Sequence, residues 1–126
     1  MTSGTVEVVY ISPATGRVTV NLLNSNEDVL IHIDARYDWG DWKNVLTLNS
    51  KKADGRWGKH VQVEGFPFEH YITVTLRVEI GESAFIISAN GVELTTYEYR
   101  QDLGPPVDTI TFFGGKGELK TITVYY

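Results

Sequence analysis

The chain has 126 residues, 42% hydrophobic and 21% charged, with no cysteine and a formal net charge of −5. Those figures describe one folded domain, residues 1–126, with room for a real core, and they exclude a disulfide framework, thiolate metal sites and thiol catalysis. The acidic balance argues against a nucleic-acid module, which would carry a basic patch.

Met1-Thr2-Ser3-Gly4 has neither a basic n-region nor an apolar h-region, and no apolar run nears the roughly 18 residues of a membrane span. Cytoplasmic synthesis without a signal peptide, and no membrane insertion, are the expectations. Along the chain, Thr5–Ile11, Arg17–Leu23, Val29–Tyr37, Asn44–Asn49, His60–Val63, Tyr71–Ile80, Phe85–Ala89, Val92–Tyr99, Asp108–Phe113 and Leu119–Tyr126 are β-branched or aromatic-rich and roughly alternating. Turn residues separate them: Ser12–Gly16, Asn24-Ser25-Asn26, Ala53-Asp54-Gly55, Gly104-Pro105-Pro106 and Gly114-Gly115. Asn90-Gly91 between two alternating runs is a strong type I′ hairpin signal. No window carries a helical apolar period. Short strands at this spacing predict an all-β sandwich or a barrel. A small lipid-carrying barrel usually caps its mouth with a helical pair near the N-terminus, and Ser12–Gly16 is too short for one, so the sandwich is preferred.

The segment His32-Ile33-Asp34-Ala35-Arg36 carries the chemistry. On a strand, His32, Asp34 and Arg36 leave one face about 6–7 Å apart, while Ile33 and Ala35 face the core. To a polyol the imidazole offers a donor and an acceptor, the carboxylate accepts, and the guanidinium donates through a rigid fork. Asn49-Ser50 ends the next strand. Trp57 follows in Asp54-Gly55-Arg56-Trp57-Gly58-Lys59, where Gly and charge argue for exposure. An exposed indole beside a polar strand face suits a sugar ring, whose C–H face packs on it while the ring's edge keeps its hydroxyls free; such stacking supplies about 1–3 kcal/mol. Trp39 and Trp42, in the polar segment Asp38–Lys43, suggest an extended stacking platform in a loop; the alternative is that one or both fold onto the core.

Enzymatic chemistry is not legible. Glycoside hydrolysis needs two suitably spaced carboxyl groups, and the only pair in prospect, Asp34 with Glu64, puts an ionised Asp34 where an acid is needed. His32, His60 and His70 match no metal-ligand spacing. No cofactor is expected.

His32-Ile33-Asp34-Ala35-Arg36-Tyr37, Asn49-Ser50-Lys51, Gly55-Arg56-Trp57-Gly58, Phe66-Pro67-Phe68 and Asn90-Gly91 with Tyr99-Arg100 together resemble, in order and spacing, the galectin carbohydrate-recognition domain. The resemblance covers nearly the whole chain. It implies a jelly-roll β-sandwich of two antiparallel sheets, a non-enzymatic lectin, and β-galactosides bound on a concave sheet. It maps His32, Asp34 and Arg36 onto the residues that hold the axial 4-hydroxyl, Asn49 onto the one facing the 6-hydroxyl, and Trp57 onto the stacking tryptophan.

Two departures follow. Where the family has Glu and then Arg after Trp-Gly, this chain has His60 and Gln62. Glu64, on the same strand face in the absence of a bulge, is the candidate substitute. The resemblance therefore implies glycoproteins or glycolipids bearing galactosides as partners, with altered specificity toward the second sugar or an N-acetyl group; the binding row is His32, Asp34, Arg36, Asn49, Trp57, His60, Gln62, Glu64 and Trp39. It also implies an extracellular role by non-classical secretion. Thr5–Ile11 and Leu119–Tyr126 are expected at an edge, where a homodimer would form. The competing readings are an interaction module of the same fold without sugar affinity, and a small-ligand or lipid-binding β-barrel.

Overall fold

The computed structural model describes residues 1–126. Ten strands and no helix make up the fold: β1 (Gly4–Ile11), β2 (Gly16–Leu23), β3 (Val29–Trp39), β4 (Trp42–Lys51), β5 (Val61–Val63), β6 (Thr73–Ile80), β7 (Ala84–Ala89), β8 (Val92–Glu98), β9 (Thr109–Phe113) and β10 (Glu118–Tyr125). Each predicted strand is present, with ends moved by a residue or two in most cases. The exception is Asp38–Lys43. It is not a loop but a tight hairpin, because β3 and β4 continue until Trp39 pairs with Trp42, and Gly40, at φ +59°, supplies the positive φ of the turn.

The strands form two antiparallel sheets, ordered β10-β1-β6-β7-β8 and β5-β4-β3-β2-β9. Both have free edges, so this is a sandwich and not a closed barrel. β10 is an edge strand as expected, but β1 is not: it pairs with β10 on one side and β6 on the other. The alternating inward residues of both sheets fill the interior, among them Val6, Val8, Leu22, Ile31, Ile33, Leu46, Leu48, Val78, Phe85 and Ile87. Two buried tyrosines meet there across the sandwich, Tyr10 from β1 and Tyr37 from β3, with hydroxyls 2.9 Å apart.

Antiparallel register carries the second sheet's outer face. His32 lies opposite Asn49 on one side and Asn21 on the other; Asp34 lies opposite Thr47 and Thr19; Arg36 lies opposite Val45 and Arg17. Thr47 pairs in turn with Gln62. Because side chains alternate at period two, the residues of β2, β3 and β4 that bury Val20, Ile33 and Leu48 inward must present Thr19, Asp34 and Thr47 outward.

Candidate functional site

On that face lies a cleft of about 350 Å3, lined by Arg17, His32, Arg36, Thr47 and Asn49 from the sheet and by Trp57 and His60 from the segment after β4. Trp57 is 48% exposed, and the His32 ring stands edge-on to it with centroids 4.8 Å apart. The cleft thus has an indole on one side and a floor of hydrogen-bonding groups.

His32, Asp34 and Arg36 share the face, but not in equal roles. Asp34 is wholly buried beneath the cleft, and both of its oxygens are engaged by the protein. Oδ2 takes Arg36 Nε at 2.9 Å and Arg17 Nη1 at 3.4 Å, and Oδ1 accepts from Thr19 Oγ1 at 3.0 Å. It does not project to meet a ligand; it holds the two arginines. Arg17 and Arg36 sit directly opposite one another, a placement that repels unless a carboxylate is shared between them. With Nε tied to Asp34, the terminal nitrogens of Arg36 remain for a ligand.

The hairpin tryptophans are neither in the core nor a bare platform. The Arg36 guanidinium lies 4.4 Å from the Trp42 ring centre and 5.4 Å from that of Trp39, and Arg17 lies 4.4 Å from Trp39. Cation–π contact and the shared carboxylate together fix both guanidinium planes. His60 stands edge-on to Trp42 at 6.1 Å, so it borders the ring on which Arg36 stacks.

His32 Nδ1 lies 2.7 Å from Asn21 Oδ1, while Asn21 Nδ2 donates to Thr111 Oγ1 at 3.1 Å. With the amide so oriented, Nδ1 carries the proton and Nε2 keeps its lone pair. Burial lowers the His32 pKa, and Arg17, Arg36 and Lys51 lower it further, against the opposing pull of Asp34. The ring is therefore neutral near neutral pH, with Nε2 an acceptor.

Asn49 is largely engaged internally. Its Oδ1 accepts from the Ser50 N–H and from Arg100 Nη1, each at 2.8 Å, and its Nδ2 donates to the Gly58 carbonyl at 3.0 Å. One amide N–H is left free. Gln62 lies beside Thr47 but is not part of the cleft wall, and Glu64 follows the end of β5, exposed and not among the residues that line the cleft. The register that would let Glu64 substitute is not formed, because β5 stops at Val63. No three or more His, Asp or Glu side chains gather as a metal-binding group; His70 lies elsewhere, beside Tyr71.

Sequence reasoning missed Arg17, Thr19, Thr47 and the floor role of Asp34. Arg17-Val18-Thr19-Val20-Asn21 does alternate polar and apolar, so its outward face was legible; that it lies against His32 and Arg36 depends on which strand pairs with which.

The chain matches the family described as galactoside-binding lectin over residues 2–125. It is similar to the tetrameric galectin of the ball sponge Cinachyrella sp., at 46% identity and a TM-score of 0.94, with 100% of this chain and 94% of that one covered. A galactose-binding lectin from Chondrilla caribensis is 34% identical over 99 residues, 73% of this chain and 69% of that protein. The toad ovary galectin solved with thio-digalactose is 28% identical at a TM-score of 0.81, covering 95% of this chain and 87% of the other. With its sandwich, its polar sheet face and its match across both, this chain belongs to the galactoside-binding lectin family.

Proposed function

We propose that this chain is a lectin that binds β-galactoside-bearing glycans reversibly in the cleft of the second sheet. The observation that carries the reading is the half-exposed Trp57 indole standing beside a fixed, neutral His32 acceptor and the free fork of Arg36. The apolar C–H face of galactose packs on the indole. Its axial hydroxyl donates to His32 Nε2 and accepts from Arg36, and the free N–H of Asn49 meets a neighbouring hydroxyl. A sugar whose hydroxyl is equatorial leaves those groups unpaired, which is how a hydrogen-bonding site rejects an epimer. The ligands named for the Chondrilla lectin and the toad galectin support the same class.

Few atoms are covered in so open a cleft, so single-site affinity falls in the millimolar to micromolar range. With His60 and Gln62 past Trp57 and no acidic group in the cleft wall, the second sugar meets an aromatic and amide border, which favours N-acetylated partners over plain lactose. Binding to glycoproteins and glycolipids then depends on several sites per particle. β10 offers an unpaired edge for a second copy, with Leu119 and Ile122 exposed along it, and the sponge relative is a tetramer by its description.

A glycan array followed by calorimetry tests the reading. Hits should terminate in β-galactose, disappear in Trp57→Ala and Arg36→Ala, and exclude glucose-terminated analogues. An array without galactoside hits overturns it in favour of an interaction module of the same fold.

A further inference from the structure

We propose that Arg100, which lies outside the cleft, is the positioning residue for the limb that carries Trp57 and His60. The inference rests on the galactoside reading for what that limb does, but not for where Arg100 holds it. Residues Trp57–His60 form no regular strand beyond a single bridge from Lys51 to Trp57, yet they contribute two of the cleft's walls. Their backbone needs anchors. The Gly58 N–H donates to the Ser50 carbonyl at 2.9 Å, the Gly58 carbonyl accepts from Asn49 Nδ2, and the Lys59 carbonyl accepts from Arg100 Nη2.

Arg100 makes two of these anchors one unit. Its Nη1 donates to Asn49 Oδ1 at 2.8 Å while its Nη2 takes the Lys59 carbonyl. The same guanidinium thus grips the amide that holds Gly58 and the carbonyl between Trp57 and His60. A planar fork spans two acceptors in this way; an ammonium on a flexible stem does not. The fork has a reference point of its own, since it lies 5.0 Å from the Tyr97 ring centre, and Tyr97 is tied across the sandwich by its hydroxyl to Ser50 Oγ at 2.6 Å. Arg100 follows β8, the edge of the opposite sheet. The limb is therefore placed by the far sheet as much as by its own.

Gly58 fits the same arrangement. A Cβ there would collide with Arg100 Nη1 and stand 3.2 Å from Asn49 Oδ1. Its missing side chain lets the guanidinium close on the limb, a requirement of close approach and not of unusual φ.

The test uses the full chain with Arg100→Ala, Arg100→Lys, Gly58→Ala and the double variant Gly58→Ala/Arg100→Ala. Lactose affinity is measured by calorimetry well below each variant's melting temperature. The Trp57 indole N–H resonance, assigned with Trp57→Phe, is followed by NMR. Both Arg100 variants should weaken lactose about fivefold or more, and the Trp57 resonance should shift or broaden while those of Trp39 and Trp42 stay. Gly58→Ala should weaken binding in the parent and add little in Arg100→Ala, as expected of one shared contact. Affinity within about twofold of the parent with an unmoved Trp57 resonance overturns the proposal, as does full additivity of the double variant. If the parent chain binds neither lactose nor N-acetyllactosamine, the galactoside reading fails, and the Trp57 resonance alone decides: an unmoved signal in Arg100→Ala rejects the positioning role, a moved one supports it.

Discussion

The Nδ1 atom of His32 and the Oδ1 atom of Asn21 are 2.7 Å apart, and this bond decides what His32 offers on its other side. Asn21, paired opposite on β2, holds the ring in the tautomer whose Nε2 accepts. The consequence is a pH dependence with a definite sign. Burial lowers the His32 pKa below the ordinary 6.5, so the neutral ring persists through neutral pH. Its contribution to stability is whole above the unfolded value and is lost as pH falls through the lower folded one. Calorimetric affinity for lactose should be flat from about pH 8 to about 6.5 and decline under more acid conditions as Nε2 becomes a donor. A rise in affinity on acidification would refute the acceptor role.

Asp34 should be the residue least tolerant of change on this face. Asp34→Asn can keep an oxygen toward the two guanidiniums and turn its N–H groups to the Thr19 hydroxyl, but it removes the charge that the arginines share. Arg17, with its side chain 35% exposed, and Arg36 can partly rehydrate, so the expected stability loss is about 1–3 kcal/mol and not the larger figure for a fully buried pair. Lactose affinity should fall about tenfold or more. Denaturant melts and titrations of the same sample separate the two effects, and normal binding by Asp34→Asn would contradict the floor role.

Trp57 and Trp42 should respond differently to truncation. Trp57→Ala removes a half-exposed surface, so the melting temperature should hardly move while about 1–3 kcal/mol of binding is lost. Trp42→Ala frees the Arg36 guanidinium from its stack and should cost about 0.5–2 kcal/mol of binding; Trp42→Phe should recover part of it. Equal behaviour of Phe and Ala at position 42 would mean that stacking does not orient Arg36.

The Tyr10–Tyr37 hydroxyl pair predicts non-additive stability. Tyr37→Phe strands the Tyr10 hydroxyl in the interior and should cost about 1–3 kcal/mol, as should Tyr10→Phe, whereas the double Phe variant should lose less than the sum of the two. Burial pushes Tyr10 well up and Tyr37 to about 12, from an ordinary 10.0. Raised phenol values mean that this contribution is present up to about pH 10 and fades above it as the unfolded chain ionises. An additive double variant in chemical melts would show that the hydroxyls do not depend on each other.

Strand existence was legible because alternation at period two and turn residues are local properties: Arg17–Leu23 and His32–Arg36 declare their faces with no partner in view. Asp38–Lys43 was not, since two tryptophans around Gly40 read as a loop until cross-strand pairing of Trp39 with Trp42 extends the ladder. The edge strand at the N-terminal end was misplaced for a similar reason, as β1 gains its second neighbour from β6, far along the chain.

The same division runs through the site. Sequence alone determined that His32, Asp34 and Arg36 leave one face and that Trp57 lies in an open, Gly-flanked segment, because side-chain alternation and local composition suffice for both. Only the tertiary structure decided that Asp34 is held beneath two arginines, that Arg17 joins them from β2, that Trp42 steadies Arg36, and that Arg100 reaches the Trp57 limb from the opposite sheet. Each of those depends on which strands lie side by side and how the two sheets face, and pairing and packing are settled by contacts between residues far apart in the chain.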